Sequence, residues 1–122
     1  MVSDKRLLVI DDEPAFGGFV KDVAEGLGYA VRITAKADEF AETYEAFGPS
    51  VIVLDVVMPE VDGIELVQWL AQERCKAKIV IVTGYNPHYA DAAMRLVSAG
   101  DLPNVMTLSK PISLADLRAA LS

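Results

Sequence analysis

The stretch VIVLDVVMPEVDG, Val51–Gly63, sets a carboxylate at the end of a run that should be buried. Val51-Ile52-Val53-Leu54 is continuously apolar and mostly β-branched, the pattern of a strand covered on both faces. Asp55 follows at once, and Met58-Pro59 and Asp62-Gly63 then break the chain into a loop. In an open parallel sheet the carboxyl ends of the strands border the crevice where ligands bind. Asp55 is therefore either a group with chemistry at that edge or a helix cap or loop anchor.

Outward from this strand, the chain alternates strand and helix patterns five times. Leu7–Ile10 is a short apolar run ended by Asp11-Asp12-Glu13, and Pro14 suits the first turn of a helix. Phe16, Phe19, Val20, Val23 and Leu27 recur at helical spacing until Gly28 supplies a stop. Tyr29–Thr34 reads as a strand. Ala37–Phe47 reads as a helix with Phe40, Tyr44 and Phe47 on one side, ended by Gly48-Pro49. A helix over Ile64–Glu73 carries a stripe of Ile64, Val67, Leu70 and Ala71. Ile79–Val82 is the fourth strand, followed by Thr83–Pro87 and a helix to about Ala99. Val105–Leu108 is a weaker fifth strand, and Lys110-Pro111 turns the chain into a last helix, Leu114–Leu121, with Ser113 as its cap. Strands alternating with helices imply right-handed crossovers and a parallel sheet covered on both faces, an α/β fold. Trp69 and the phenylalanines then read as core or helix-face packing.

Composition removes several function classes. At 122 residues, 52% of them hydrophobic, the chain is long enough for one domain with a single core. An excess of 18 Asp+Glu over 11 Lys+Arg argues against binding nucleic acid or an anionic membrane. No apolar run approaches a bilayer span, and Met1–Arg6 with the short patch after it is not a signal peptide. The single cysteine, Cys75, excludes an internal disulfide, so the cytoplasm is the expected compartment. Arg74, Lys76 and Lys78 around Cys75 could lower its thiol pKa, but a bystander at a helix end is the plainer reading. His88, the sole histidine, has no supporting constellation and reads as a surface or helix-start residue.

A parallel sheet would bring the carboxyl ends of all strands to one edge. Asp11 and Asp12 end the first strand, Asp55 the third and Thr83 the fourth, and Lys110 follows the fifth. Three crowded carboxylates repel one another and call for a cation. Hard oxygen ligands without His or Cys suit Mg²⁺ or Mn²⁺. A metal, a carboxylate nucleophile, and hydroxyl and ammonium donors together make a phosphoryl-transfer site. Asp55 reads as the phospho-acceptor. Taken singly, Asp11 or Asp12 would cap the helix that Pro14 opens, Thr83 would be a turn residue, and Lys110 a solvated charge.

Four fragments carry a resemblance: VIDDEP (Val9–Pro14), LDVVMPEVDG (Leu54–Gly63), VTG (Val82–Gly84) and SKPI (Ser109–Ile112). In this order and register they resemble the receiver domains of two-component response regulators, over essentially the whole chain. The resemblance implies a flavodoxin-like, doubly wound (βα)5 fold, with a parallel five-stranded sheet of order 2-1-3-4-5 and five helices. It implies that Asp55 is the phosphorylated aspartate, Asp12 a direct Mg²⁺ ligand and Asp11 a ligand mainly through water. The main-chain carbonyl of Val57 would complete the protein's share of the metal shell. Thr83 would bond a phosphoryl oxygen, and Lys110 would pair with the carboxylate or its phosphate. The phosphoryl donor would be a histidine kinase or a histidine phosphotransfer protein. Such a domain is not an enzyme acting on a separate substrate; it catalyses only its own phosphorylation and dephosphorylation. It would signal to a downstream protein by conformational change or act as a phosphate shuttle in a phosphorelay. The expected organisation is a single receiver domain over 1–122 with no output domain, free-standing or cut from a longer protein.

Two features depart from that pattern. The family commonly carries an aromatic residue three before the lysine, and here that position is Thr107. Tyr85, two residues past Thr83, is the alternative candidate for a mobile aromatic, or else packs on the helix beneath. The segment before Lys110 is also longer than usual, with the extra length in Gly100–Asn104, as in receivers associated with hybrid kinases. Gly17 and Gly18 lie off the apolar stripe of the first helix. They are read either as a bare patch for a partner helix beside the acidic pocket or as a weak helix.

Three rival functions are weaker. An aspartate-nucleophile phosphatase wants a second Asp two residues after the first, where this chain has Val57. A nucleotide or flavin binder wants a Gly-rich cradle after the first strand, where this chain has Asp-Asp-Glu-Pro. A pseudo-receiver, an interaction module without regulatory phosphorylation, would have no need of the full set Asp11, Asp12, Asp55, Thr83 and Lys110.

Overall fold

In the computed structural model, the residues described are 5–11, 13–55, 63–73, 76–83, 105–109 and 112–121. Five strands occur: β1 (Arg6–Ile10), β2 (Ala30–Thr34), β3 (Val51–Asp55), β4 (Lys78–Thr83) and β5 (Val105–Ser109). They form one sheet in the order β2-β1-β3-β4-β5, every neighbouring pair parallel. This is the flavodoxin-like arrangement expected from the sequence. Four helices are described: α1 (Pro14–Gly26), α2 (Ala37–Phe47), α3 (Gly63–Gln72) and α4 (Leu114–Leu121). The helix expected after Pro87, and the Gly100–Asn104 loop, fall outside the described residues, as do Cys75 and His88.

Local sequence sets most of the boundaries. Pro14 occupies the first turn of α1, where its missing N–H costs nothing. Gly28 and Gly48 take left-handed φ values of 94° and 61° just past α1 and α2, a conformation open to glycine at little cost. Ser113 Oγ accepts the Asp116 N–H at 3.0 Å, so the expected cap of the last helix is in place.

The pleat of the strands divides the core into two layers. Leu7, Val9, Val51, Val53, Val80 and Val82 pack with Val20, Val23 and Ala24 of α1 and with Leu117, Ala120 and Leu121 of α4. Leu8, Ile10, Ile52, Leu54, Ile79 and Ile81 pack on the other face with Phe40 of α2 and with Leu66 and Leu70 of α3. Phe40, Tyr44 and Trp69 form an aromatic cluster there, with ring centroids 5.3 to 6.3 Å apart. β5 is the weak strand its sequence suggests: Val105, Met106 and Leu108 are only half-buried at the sheet's edge.

Two expectations need correction. Leu66, absent from the stripe read for the third helix, is a core residue at 6% exposure. Gly17 is not off the packing surface. It is buried, and a Cβ built there would stand 3.2 Å from Ile33 Cγ2 of β2. The missing side chain lets the first turns of α1 approach the edge strand closely. Gly18, with nothing within 4 Å of such a Cβ, has no packing reason of this kind.

Candidate functional site

The strand register assembles the carboxyl edge. β1 and β3 pair up to Ile10↔Leu54, so Asp11 and Asp55 each stand one residue beyond that pair on adjacent strands. β3 and β4 pair up to Asp55↔Val82, which puts Thr83 one step further along the next strand. Adjacent strands run about 4.8 Å apart, so these three backbones converge within a single ligand's reach. Thr83 pairs with Ser109, the residue directly before Lys110. Asp12, Val57, Tyr85 and Lys110 lie outside the described residues.

Asp11 is 3% exposed, one of only two buried polar residues among those whose side chains are described. Its Oδ1 accepts the Glu13 N–H at 2.8 Å, an Asx turn that leads the chain into α1. The carbonyl of Glu13 in turn accepts the N–H groups of Phe16 and Gly17, each at 3.1 Å. Asp11 therefore does not cap the helix as expected: the N-cap of α1 is Glu13, without a side-chain cap bond, and Asp11 instead anchors the turn before it, as a buried carboxylate at the edge where Asp55 ends β3. Thr107 is exposed on β5, paired with Ile81, and offers no ring at the position where an aromatic would sit.

The donor set fits a hard divalent cation in kind. The buried Asp11 supplies carboxylate oxygens at the edge where β3 ends on Asp55, and the single His and single Cys of the sequence both lie outside the described residues. Among the described residues no three His, Cys, Asp or Glu side chains cluster, Asp12 not being one of them. The residue that sequence reasoning missed is Thr34, at the end of β2, the second buried polar residue. Nothing in its local sequence marks it. Only the β1–β2 pairing brings it beside Asp11.

Comparison with known proteins agrees with this architecture. The family of response regulator receiver domains matches residues 7–122. The response regulator receiver protein CpdR of Brucella abortus is 34% identical over 93% of this chain and 90% of its own length. The transcriptional regulatory protein TrcR of Mycobacterium tuberculosis is 32% identical over 95% of this chain, and the match spans 43% of TrcR. A solved response regulator from Burkholderia pseudomallei, carrying a phosphorylated aspartic acid, a calcium ion and citrate, is 30% identical. It superposes with a TM-score of 0.79 over 97% of this chain and 66% of its own. The chain belongs to the response regulator receiver domain family, with the CheY-like fold of two-component signalling proteins. No helix among the described residues is long and apolar enough to cross a membrane.

Proposed function

We propose that this receiver domain accepts a phosphoryl group onto Asp55, in the cytoplasm, from a histidine kinase or a histidine phosphotransfer protein, in a Mg²⁺-dependent reaction. The observation that carries the reading is the register that ends β1, β3 and β4 with Asp11, Asp55 and Thr83 side by side. An Asp55 carboxylate oxygen forms the new O–P bond. The N–P bond of the donor phosphohistidine breaks, and the imidazole nitrogen keeps the electron pair and takes up a proton from solvent. Nucleophile and phosphoryl group are both anionic, so their approach is unfavourable without neighbouring positive charge. Asp12 and Asp55, the Val57 carbonyl and, through water, Asp11 would hold Mg²⁺, which when bound neutralises charge on the phosphoryl oxygens. The Thr83 hydroxyl donates to one of those oxygens, and the Lys110 ammonium pairs with another.

The Burkholderia pseudomallei protein supports the reading, since its phosphorylated aspartic acid occurs together with a divalent cation. With Thr107 lacking a ring, Tyr85 is the aromatic of the switch. The phosphorylated domain either signals to a downstream protein through the Thr83–Tyr85 loop or hands the group on in a phosphorelay. Acetyl phosphate with Mg²⁺ should add one phosphoryl group by intact mass, and Asp55→Asn should abolish the addition while leaving the melting transition in place. Full labelling of Asp55→Asn would overturn the assignment.

A further inference from the structure

We propose that Thr34 is a positioning residue for the metal site, holding Asp11 in place from the edge strand. The proposal rests on the reading of Asp11 as part of a cation site. Thr34 belongs to none of the sequence fragments that define the family resemblance, and it stands on the one strand that contributes no expected site residue.

Buried polar side chains are rare because each must recover the hydrogen bonds it loses to water. Among the residues whose side chains are described, only Asp11 and Thr34 are polar and buried, at 3% and 5% exposure, and they are linked. Thr34 is the last residue of β2 and pairs with Ile10, the last residue of β1. Its carbonyl accepts the Asp11 N–H at 3.1 Å, one residue beyond the final pair. Its Oγ1 donates to the Val9 carbonyl at 3.0 Å, in a buried contact between residues 25 apart in sequence. The two bonds bracket Ile10 and hold the chain on both sides of it. The end of β1 is therefore fixed at the point where it leaves the sheet, a place where strands otherwise fray. The carboxylate of Asp11 is restrained in turn by the Glu13 N–H at 2.8 Å. One residue of the edge strand fixes the main chain, and the turn fixes the side chain.

A hydroxyl is not needed for the fold at this position in the way it is needed for the site. Valine keeps the shape and the strand preference of threonine and removes only the donor. Without that donor the Val9 carbonyl loses its bond to the Thr34 side chain, and the strand end is held less firmly, broadening the positions open to the Asp11 carboxylate. Partners that orient ligating groups from outside the ligand shell typically change metal affinity by about 10–100-fold. Thr34 acts through the main chain, so the lower end of that range, about 10-fold or somewhat less, is expected.

The test is a Mg²⁺ titration of the protein without any phosphoryl donor, followed by the amide NMR signals of Asp11 and Glu13. Thr34→Val should raise the Mg²⁺ midpoint several-fold and accelerate hydrogen exchange at the Asp11 amide, while Thr34→Ser, which keeps the hydroxyl, should stay within twofold of the wild type. If valine is not accommodated, Thr34→Ala removes the same donor with less bulk and should show the same shift. A wild-type midpoint in Thr34→Val or Thr34→Ala, with or without a lower melting temperature, means that the residue is merely structural and overturns the proposal. A wild-type protein whose signals do not respond to Mg²⁺ at all overturns instead the metal-site reading beneath it.

Discussion

At the amino edge of the sheet, Lys5, Arg6, Tyr29 and Lys78 all donate to the ends of helices, whereas at the carboxyl edge the Asp11 carboxylate accepts the main-chain N–H of Glu13, next to the strand that ends in Asp55. Each helix of a βα unit returns antiparallel to its strand, so helix carboxyl ends gather at the first edge and helix amino ends at the second. Lys5 Nζ donates to the Leu27 carbonyl at 3.0 Å and Arg6 Nε to the Gly48 carbonyl at 2.8 Å. These are the C-cap residues of α1 and α2. Lys78 Nζ donates to the Ala120 carbonyl, and Tyr29 Oη to the Leu121 carbonyl at 2.8 Å, at the end of α4. Cations at the negative ends of helix dipoles stabilise them and satisfy carbonyls that have no partner within the helix. The amino edge thus uses its charged groups to hold the helices. At the carboxyl edge, β1 and β3 lead into Asp11 and Asp55 on neighbouring strands, where on the proposed function a metal and a phosphoryl group would bind. One edge fastens the fold, and the other is the edge to which the proposed function assigns the chemistry.

That division predicts that the amino edge can be weakened without harm to the site. The largest effect should come from Lys78→Met, which keeps the aliphatic stem and removes the donor to Ala120. A hydrogen bond from a charged donor at a helix end contributes about 1–2 kcal/mol, so urea denaturation should show a loss of that size. Labelling of Asp55 by acetyl phosphate should be unchanged. Loss of labelling in a folded Lys78→Met protein would show that the two edges are coupled along β4, which begins at Lys78 and ends at Thr83.

A smaller effect is expected at Tyr29, with a pH signature. Removing its hydroxyl in Tyr29→Phe should cost about 1 kcal/mol at neutral pH, the usual net worth of one hydrogen bond. Burial pushes the Tyr29 phenol above the ordinary value of 10.0. A group whose folded pKa is raised contributes its full stability below the unfolded pKa and loses it as pH rises through the folded one. The wild-type advantage over Tyr29→Phe should therefore be constant up to about pH 9–10 and shrink above it, because the phenolate cannot donate to Leu121. A gap that stays constant through pH 11 would mean that the hydroxyl is not the source.

These contacts also mark the limit of what the sequence discloses. Strands β1, β3 and β4 are legible because apolar runs of four residues ending in Asp or Thr report burial and position together. The helix ends are legible from Gly28, Gly48 and Ser113, whose effects are local. The amino-edge donors are not, since Lys5, Arg6, Lys78 and Tyr29 meet partners 22, 42, 42 and 92 residues away. Thr34 is silent for the same reason. Leu66 escapes the stripe read for α3, although it stands four residues before Leu70 and packs with it in the same core layer. In the site, the backbone positions of Asp11, Asp55 and Thr83 follow from strand order alone, whereas the bond of Asp11 to Glu13 depends on how the chain turns into α1.

The smallest predicted effect separates the two adjacent glycines of α1, and it bears on how firmly the carboxyl edge is seated. In a helix, glycine is about 1 kcal/mol less favourable than alanine. Gly18→Ala should realise most of that gain, because a Cβ there meets nothing within 4 Å. At Gly17 the new Cβ would stand 3.2 Å from Ile33 Cγ2 and 3.6 Å from its Cδ1, closer than ordinary contact. Ile33 is 43% exposed and can yield outward, so the clash is partly relieved and the net change should lie near zero. Ile33 directly precedes Thr34, and Gly17 donates its N–H to Glu13 at the end of the Asp11 turn. Pressure at residue 17 should therefore shift the amide signals of Asp11 and Glu13, and Gly18→Ala should not. Thermal denaturation of the two variants measures the first difference and amide NMR the second. If Gly17→Ala gains as much stability as Gly18→Ala and leaves the Asp11 amide unmoved, the contact of α1 with β2 is loose, and Thr34 alone holds the end of β1.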